Sequence, residues 1–245
     1  MVLTHSTSTR PPPPNGQPKN RLLASLPAED LKRILPHLET VSMTVKQVVH
    51  KRGEPLRHVF FPNGGMFSIT SMMIDGTAIE VATVGSEGML GSAAFFGGNT
   101  MPGETMLQVL DSSAERMDLA AFATEIERRG AFFDAVGRYA QGMLALVMQS
   151  TACIGLHHVH ERCCRWLLMT QDRVGSDHFD LSHEFLAMML GTTRPTVTIV
   201  AGTLQQAGLI RYTHGHMTIV DRSGLEAASC ECYATIRTEF ARLRL

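Results

Sequence analysis

Residues 183–202 read HEFLAMMLGTTRPTVTIVAG, and their spacing is that of a helix-turn-helix. Such a unit needs a small residue in the first helix where the second crosses it. It needs a glycine at the turn four residues later, where the chain becomes left-handed, and an apolar β-branched residue six positions further on to close the small core. Ala187, Gly191 and Val197 occupy those places, and Leu186, Leu190 and Val200 fill the remaining apolar ones. Ser182 is placed to cap the first helix and Thr193 the second. Pro195 falls in the second helix's first turn, where its missing N–H is harmless. An ordinary helical hairpin turning on a glycine would meet some of these requirements, but it needs none of them together.

Downstream, Gly208-Leu209-Ile210 leads into RYTHGHMTIVD, which reads as two short strands around His214-Gly215. A hairpin placed directly after a recognition helix makes a winged helix. Its wing would lie along the phosphate backbone of double-stranded DNA, with Arg211, His214 and His216 available for contacts. The second helix would place its N-terminal residues in the major groove. The candidates there are Thr192, Thr193, Arg194, Thr196, Thr198 and Ile199, with Thr193 also serving as the cap. Arg194 is the only cation among them, suited to a guanine edge or a phosphate. Ile199 suits a thymine methyl. From residue 160 onward nine arginines face nine acidic residues. This balance implies modest affinity per half-site and a need for two copies.

Upstream, residues 131–157 are expected to form one long helix. Phe133, Val136, Ala140, Met143, Val147, Ser150 and Ile154 recur at alternating intervals of three and four, a heptad seam. The seam suits pairing of two chains, and equally a helix packed on its own domain. A further helix is expected from His157 to Val174, stopped by Gly175. Residues 158–245 then form the winged helix-turn-helix domain with a C-terminal helix. Between Val41 and Met117, short β-branched runs alternate with turn signals. The clearest is Asp75-Gly76 between MFSITSMM and AIEVATV, a hairpin signature. This texture predicts a small antiparallel roll within a domain of residues 21–130, preceded by short amphipathic helices between Leu22 and Leu38. Residues 1–20, rich in proline and small polar side chains, read as a disordered tail. The expected fold class is therefore α+β.

The net charge is -1, lysine occurs only at 19, 32, 46 and 51, and the five cysteines all lie from Cys153 onward. With no secretory leader, these thiols fit a reducing cytoplasm. The stretch from Tyr139 to His160 lacks Asp, Glu, Lys and Arg, but its polar residues and three histidines argue against a membrane span. No phosphate loop, nucleophile elbow or carboxylate pair stands out, so no enzyme is expected. His160 and Cys164 have metal-ligand spacing, yet no closed ligand set is apparent. Cys230 and Cys232, placed on a C-terminal helix, would point to different sides. Neither a metal site nor a cofactor is therefore assigned.

The order of a β-rich domain, a seam-bearing helix and a winged helix resembles the Crp/Fnr family of bacterial regulators. The likeness is carried most specifically by LSHEFLAMMLGTTRPTVTIVAGTLQQAGLI and by IEVATVGSEGMLGSAAFFGG. The resemblance implies a cyclic-nucleotide-binding-like β-roll sensor domain, a homodimer formed by the long helix, a twofold-symmetric DNA site, and RNA polymerase as a partner if the protein activates. Family members that bind cyclic nucleotides use a Gly-Glu pair and an Arg-Ser or Arg-Thr pair. The matching positions here are Gly91-Ser92 and Glu104-Thr105, the candidate effector pocket. Glu104 would repel a phosphate, and no lysine or arginine occurs from 58 to 115, which argues against cAMP. The N-terminal cysteines of iron–sulfur relatives are missing, and of the family's Arg-Glu-x-x-x-x-Arg-like set only Arg194 remains, with Pro195 and Ile199 at the other places. Whether the roll binds an effector stays open. So do two alternatives: an effector-binding subunit whose winged helix contacts protein, and a thiol- or metal-responsive regulator.

Overall fold

The computed structural model describes residues 18–244. The expected tail lies almost wholly outside them. Two short helices, α1 (Arg21–Ala24) and α2 (Ala28–Ile34), precede the β-rich part. Strands β1 (Glu39–Met43), β2 (Val48–His50), β3 (His58–Pro62), β4 (Met66–Met72), β5 (Ala78–Val84), β6 (Glu104–Val109) and β7 (Ser112–Asp118) follow. They form two antiparallel sheets, ordered β1-β7-β3 and β2-β6-β4-β5. The β4–β5 hairpin turns at Asp75-Gly76, where Gly76 has φ 85° and the Asp75 carboxylate accepts the Thr77 N–H at 2.9 Å.

Helix α3 (Leu119–Glu127) leads into α4 (Ala131–Leu156), the expected long helix. Then come α5 (Val159–Val174), β8 (His178–Asp180), α6 (His183–Leu190), α7 (Arg194–Gln206), β9 (Ile210–Thr213), β10 (His216–Ile219), α8 (Arg222–Ala227) and α9 (Cys232–Arg242). Gly175 ends α5 with φ 67°. Among the described residues no helix is long and apolar enough to cross a membrane.

Most of the seam read on α4 is covered by the chain's own core, one of the two arrangements expected of it, while Ile154 at its end is exposed. Val136, Ala140, Met143 and Ser150 are buried within the chain's own core, and the Phe133 ring packs on Phe95 at 5.2 Å. Helix α4 packs on β5, α3 and α9 at once, so it buries a face wider than a two-residue stripe. The side left to solvent is rotated by one residue. It carries Leu144, 61% exposed, and Met148, 64% exposed, with Gln141, Thr151 and Gly155 in the same row.

The glycine-bearing segment 85–91 is where the roll meets α4 and α5. A Cβ on Gly88 would overlap the ring of Tyr139 on α4, so only glycine admits that approach. The Tyr139 hydroxyl donates to the Met89 carbonyl at 2.9 Å. Glu87 forms an ion pair with Arg173 on α5. Trp166 of α5 donates its indole N–H to Glu80 of β5 at 2.9 Å. The roll and the C-terminal part thus share one continuous hydrophobic core.

Candidate nucleic-acid interface

The α6–α7 unit is held by the interactions its sequence promised. The Ser182 hydroxyl accepts the Phe185 N–H at 3.2 Å, and the Thr193 hydroxyl accepts the Thr196 N–H at 3.4 Å. Gly191 takes the left-handed conformation, φ 59° and ψ 47°, and the Thr192 N–H reaches back to the Ala187 carbonyl. Ala187 and Val197 are buried between the helices.

Arg194, Thr198 and Ile199 face outward from the first turns of α7, with Ile199 71% exposed, while Thr192 and Thr196 are half-buried. The Thr198 hydroxyl, however, is engaged inside the protein. It donates to the Arg194 carbonyl at 3.0 Å and meets His183 Nδ1 at 3.0 Å. Its methyl group is therefore the better contact surface.

His183 in turn stacks on Tyr212 of β9, with ring centroids 4.2 Å apart and 19° between planes. Burial and the neighbouring Arg194 charge lower the pKa of its imidazole from the ordinary histidine value. This His183–Tyr212 stack fixes the wing against the two helices. Sequence reading did not single it out, because a histidine at the start of one helix gives no local sign of a tyrosine about thirty residues on.

The wing is β9 and β10, joined by His214 (φ 49°) and Gly215, with β8 pairing on the other side of β10. Arg211 and His214 are exposed. His216 is less available than its position suggested, because its Nδ1 lies 2.6 Å from the Asp180 carboxylate. That carboxylate competes with any phosphate for the same nitrogen.

In the roll, Thr105 pairs in register with His50 and is fully buried, its hydroxyl without a protein partner. Gly91 lies against His50 and Val59 and opens a short 3-10 turn beginning at Ser92. Glu104 is half-buried at the start of β6, opposite Thr70. His50 thus stands between the two halves of the expected pocket. The cleft beside it is lined by His50, Lys51, Glu54, Arg57, His58 and Phe60, not by the four expected residues. Folding therefore supplies Lys51 and Arg57 from just outside the cation-free span 58–115.

The thiols of Cys163 and Cys164 lie inside the core, and burial pushes both up, Cys164 to about 12. They are packing groups of the core.

Residues 161–228 match the family described as the Crp-like helix-turn-helix domain. The chain is also similar to solved structures. One is a protein of Eubacterium rectale described as a transcriptional regulator of the crp/fnr family, with TM-score 0.68 and 18% identity, covering 86% of this chain and 98% of that one. Another is the c-di-GMP responsive global regulator CLP of Xanthomonas campestris, with TM-score 0.66 and 16% identity, covering 79% and 99%. A third is a CRP-family transcriptional regulator of Thermus thermophilus, with TM-score 0.65 and 20% identity, covering 77% and 95%. At these identities the likeness establishes a Crp/Fnr-like fold: a β-rich N-terminal domain, a long helix and a helix-turn-helix domain. Comparison with curated proteins gave no match.

Proposed function

We propose that this chain, whose residues 161–228 match a Crp-like helix-turn-helix domain, is a cytoplasmic, sequence-specific DNA-binding transcription regulator that acts as a homodimer. The observation that carries the reading is the exposed N-terminal part of α7. Arg194 and Ile199 project from a capped helix, beside a wing bearing Arg211 and His214. A helix presented in this way enters the major groove, and two copies read half-sites about 34 Å apart. Selection of preferred sites from a random DNA pool by purified protein tests it, with Arg194→Ala in parallel. A palindromic site is expected, and its affinity should fall in the variant by about 1–3 kcal/mol with relaxed preference at one position. No enrichment from folded protein would exclude autonomous sequence-specific binding. Equal affinity and preference in the variant would remove Arg194 from the readout.

The exposed row of α4 supports pairing with the second copy there. Leu144 and Met148 are large apolar side chains on an otherwise solvated helix face, and a twofold contact would bury each of them twice. Leu144→Ala is expected to weaken self-association about tenfold to a hundredfold, ~1.5–3 kcal/mol. Val136→Ala should instead destabilise the fold while leaving association of the folded chain unchanged. Sedimentation equilibrium of both variants checks this, and the reverse pattern would restore the originally expected seam.

A further inference from the structure

Cys230 and Cys232 do not point to opposite sides of a helix. Helix α9 begins at Cys232, and Cys230 lies in the preceding turn, so both thiols reach one spot. That spot faces the last turn of α4, which carries Cys153, and its C-cap, His157. The Sγ atoms of Cys153 and Cys230 are 3.5 Å apart, and Cys232 Sγ is 3.5 Å from His157 Nδ1. All four atoms lie within 4.8 Å of one another. The three cysteines form a small cluster of their own, apart from the main core.

We propose that Cys153, His157, Cys230 and Cys232 bind one Zn²⁺ ion in a tetrahedral three-thiolate, one-imidazole site. Zn–S bonds of about 2.3 Å and a Zn–N bond of about 2.0 Å define a tetrahedron with edges of about 3.5–3.8 Å. The observed separations differ from these by only small side-chain adjustments. Four nitrogen and sulfur ligands fill the coordination sphere, which marks a structural site rather than a catalytic one.

The surrounding groups suit the same ion. With Nδ1 turned to the metal, His157 presents its Nε2 to the Glu231 carboxylate at 3.2 Å, the carboxylate–histidine arrangement that fixes a ligating imidazole. The Gln149 side-chain N–H donates to Cys232 Sγ at 3.0 Å, as to a thiolate. Binding converts three thiols and Zn²⁺ into a complex of net charge minus one and releases three protons. The Arg162 guanidinium, close enough to Cys153 and Cys230 to act on them electrostatically, offsets that charge. The sulfurs are buried while His157 keeps 18% of its side chain exposed, which leaves an entry path from solvent. The ion would staple the end of α4 to the start of α9. This inference does not rest on DNA binding.

Reduced, chelator-treated full-length protein titrated anaerobically with Co²⁺ tests the site. The expected result is the ligand-field and thiolate charge-transfer absorption of tetrahedral Co²⁺, saturating at one ion per chain and bleached by one equivalent of Zn²⁺. Cys230→Ser should shift and weaken those bands. His157→Ala, at the exposed side of the cluster and so compatible with folding by circular dichroism, should lower Co²⁺ affinity at least tenfold. Absence of tetrahedral bands in the wild-type chain overturns the proposal, as does a spectrum and affinity unchanged in His157→Ala.

Discussion

Replacing Arg173 with methionine is expected to lower the free energy of unfolding by about 3–5 kcal/mol, the usual consequence of stranding one member of a buried ion pair. Arg173 and Glu87 are only 9% and 10% exposed. Arg173 Nε and a terminal nitrogen both reach the same Glu87 oxygen, at 2.9 and 2.8 Å. That oxygen also accepts the Gly85 N–H at 3.1 Å, and a third guanidinium nitrogen donates to the Met169 carbonyl. Methionine keeps most of the aliphatic stem but leaves the Glu87 carboxylate without its counter-charge. The pair itself need not be net stabilising, because desolvating both ions offsets much of their attraction. The Arg173→Met, Glu87→Gln double variant should therefore be closer to wild type than Arg173→Met alone. Urea unfolding followed by the fluorescence of Trp166, the only tryptophan, reads this interface directly. A loss below about 1 kcal/mol in the single variant would mean that water already solvates the carboxylate.

That ion pair shows where the sequence was informative and where it was not. The helix-turn-helix was legible because its requirements are local: a glycine that must be left-handed, two caps and a small core, all within twenty residues. The hairpin at Asp75-Gly76 was legible for the same reason. In the segment holding Glu87 and Gly88, the resemblance singles out only the neighbours Gly91 and Ser92, as part of a candidate effector pocket. Gly88 is required by the Tyr139 ring and the Glu87 carboxylate by Arg173, partners about 50 and 86 residues away. No spacing rule finds them.

The α4 seam was legible as a stripe, but what covers it was not. Intervals of three and four identify an apolar stripe, but they do not say whether a second chain or the chain's own β5 and α9 covers it. The pairing face proposed above carries Leu144 and Met148, which a stripe-based reading assigns to the solvated side. The cysteine cluster was hidden by the start of α9. Moving that boundary by two residues changes Cys230 and Cys232 from divergent to convergent. Helix boundaries are the least determined feature of a sequence pattern, and here one decides whether four ligands exist.

The roll should also loosen from α5 as pH rises, through Glu80. Its carboxyl is enclosed between the Ser68 hydroxyl and the Trp166 indole N–H. Burial pushes it up to about 7 from an ordinary 4.5, against the opposing pull of Ser68, Arg165, Trp166 and Arg173. Below about pH 4.5 both folded and unfolded chains hold this proton, and the stabilising effect is complete. Between 4.5 and about 7 the folded chain retains a proton that the unfolded chain has released, so stability falls as pH increases; above 7 the loss is complete. The gap corresponds to roughly 3 kcal/mol. Glu80→Gln preserves both contacts, since the amide oxygen can accept from Trp166 and the amide nitrogen can donate to Ser68. It cannot ionise. The variant should therefore be more stable than wild type at pH 8, by up to about that amount, and should lack this component of the slope between pH 5 and 7. Unfolding curves at several pH values measure the difference, and Trp166 fluorescence of the folded wild type should titrate with a midpoint near 7. Parallel pH profiles for the two proteins would show that Glu80 is ionised throughout, and that the attraction of Arg165 and Arg173 outweighs its burial.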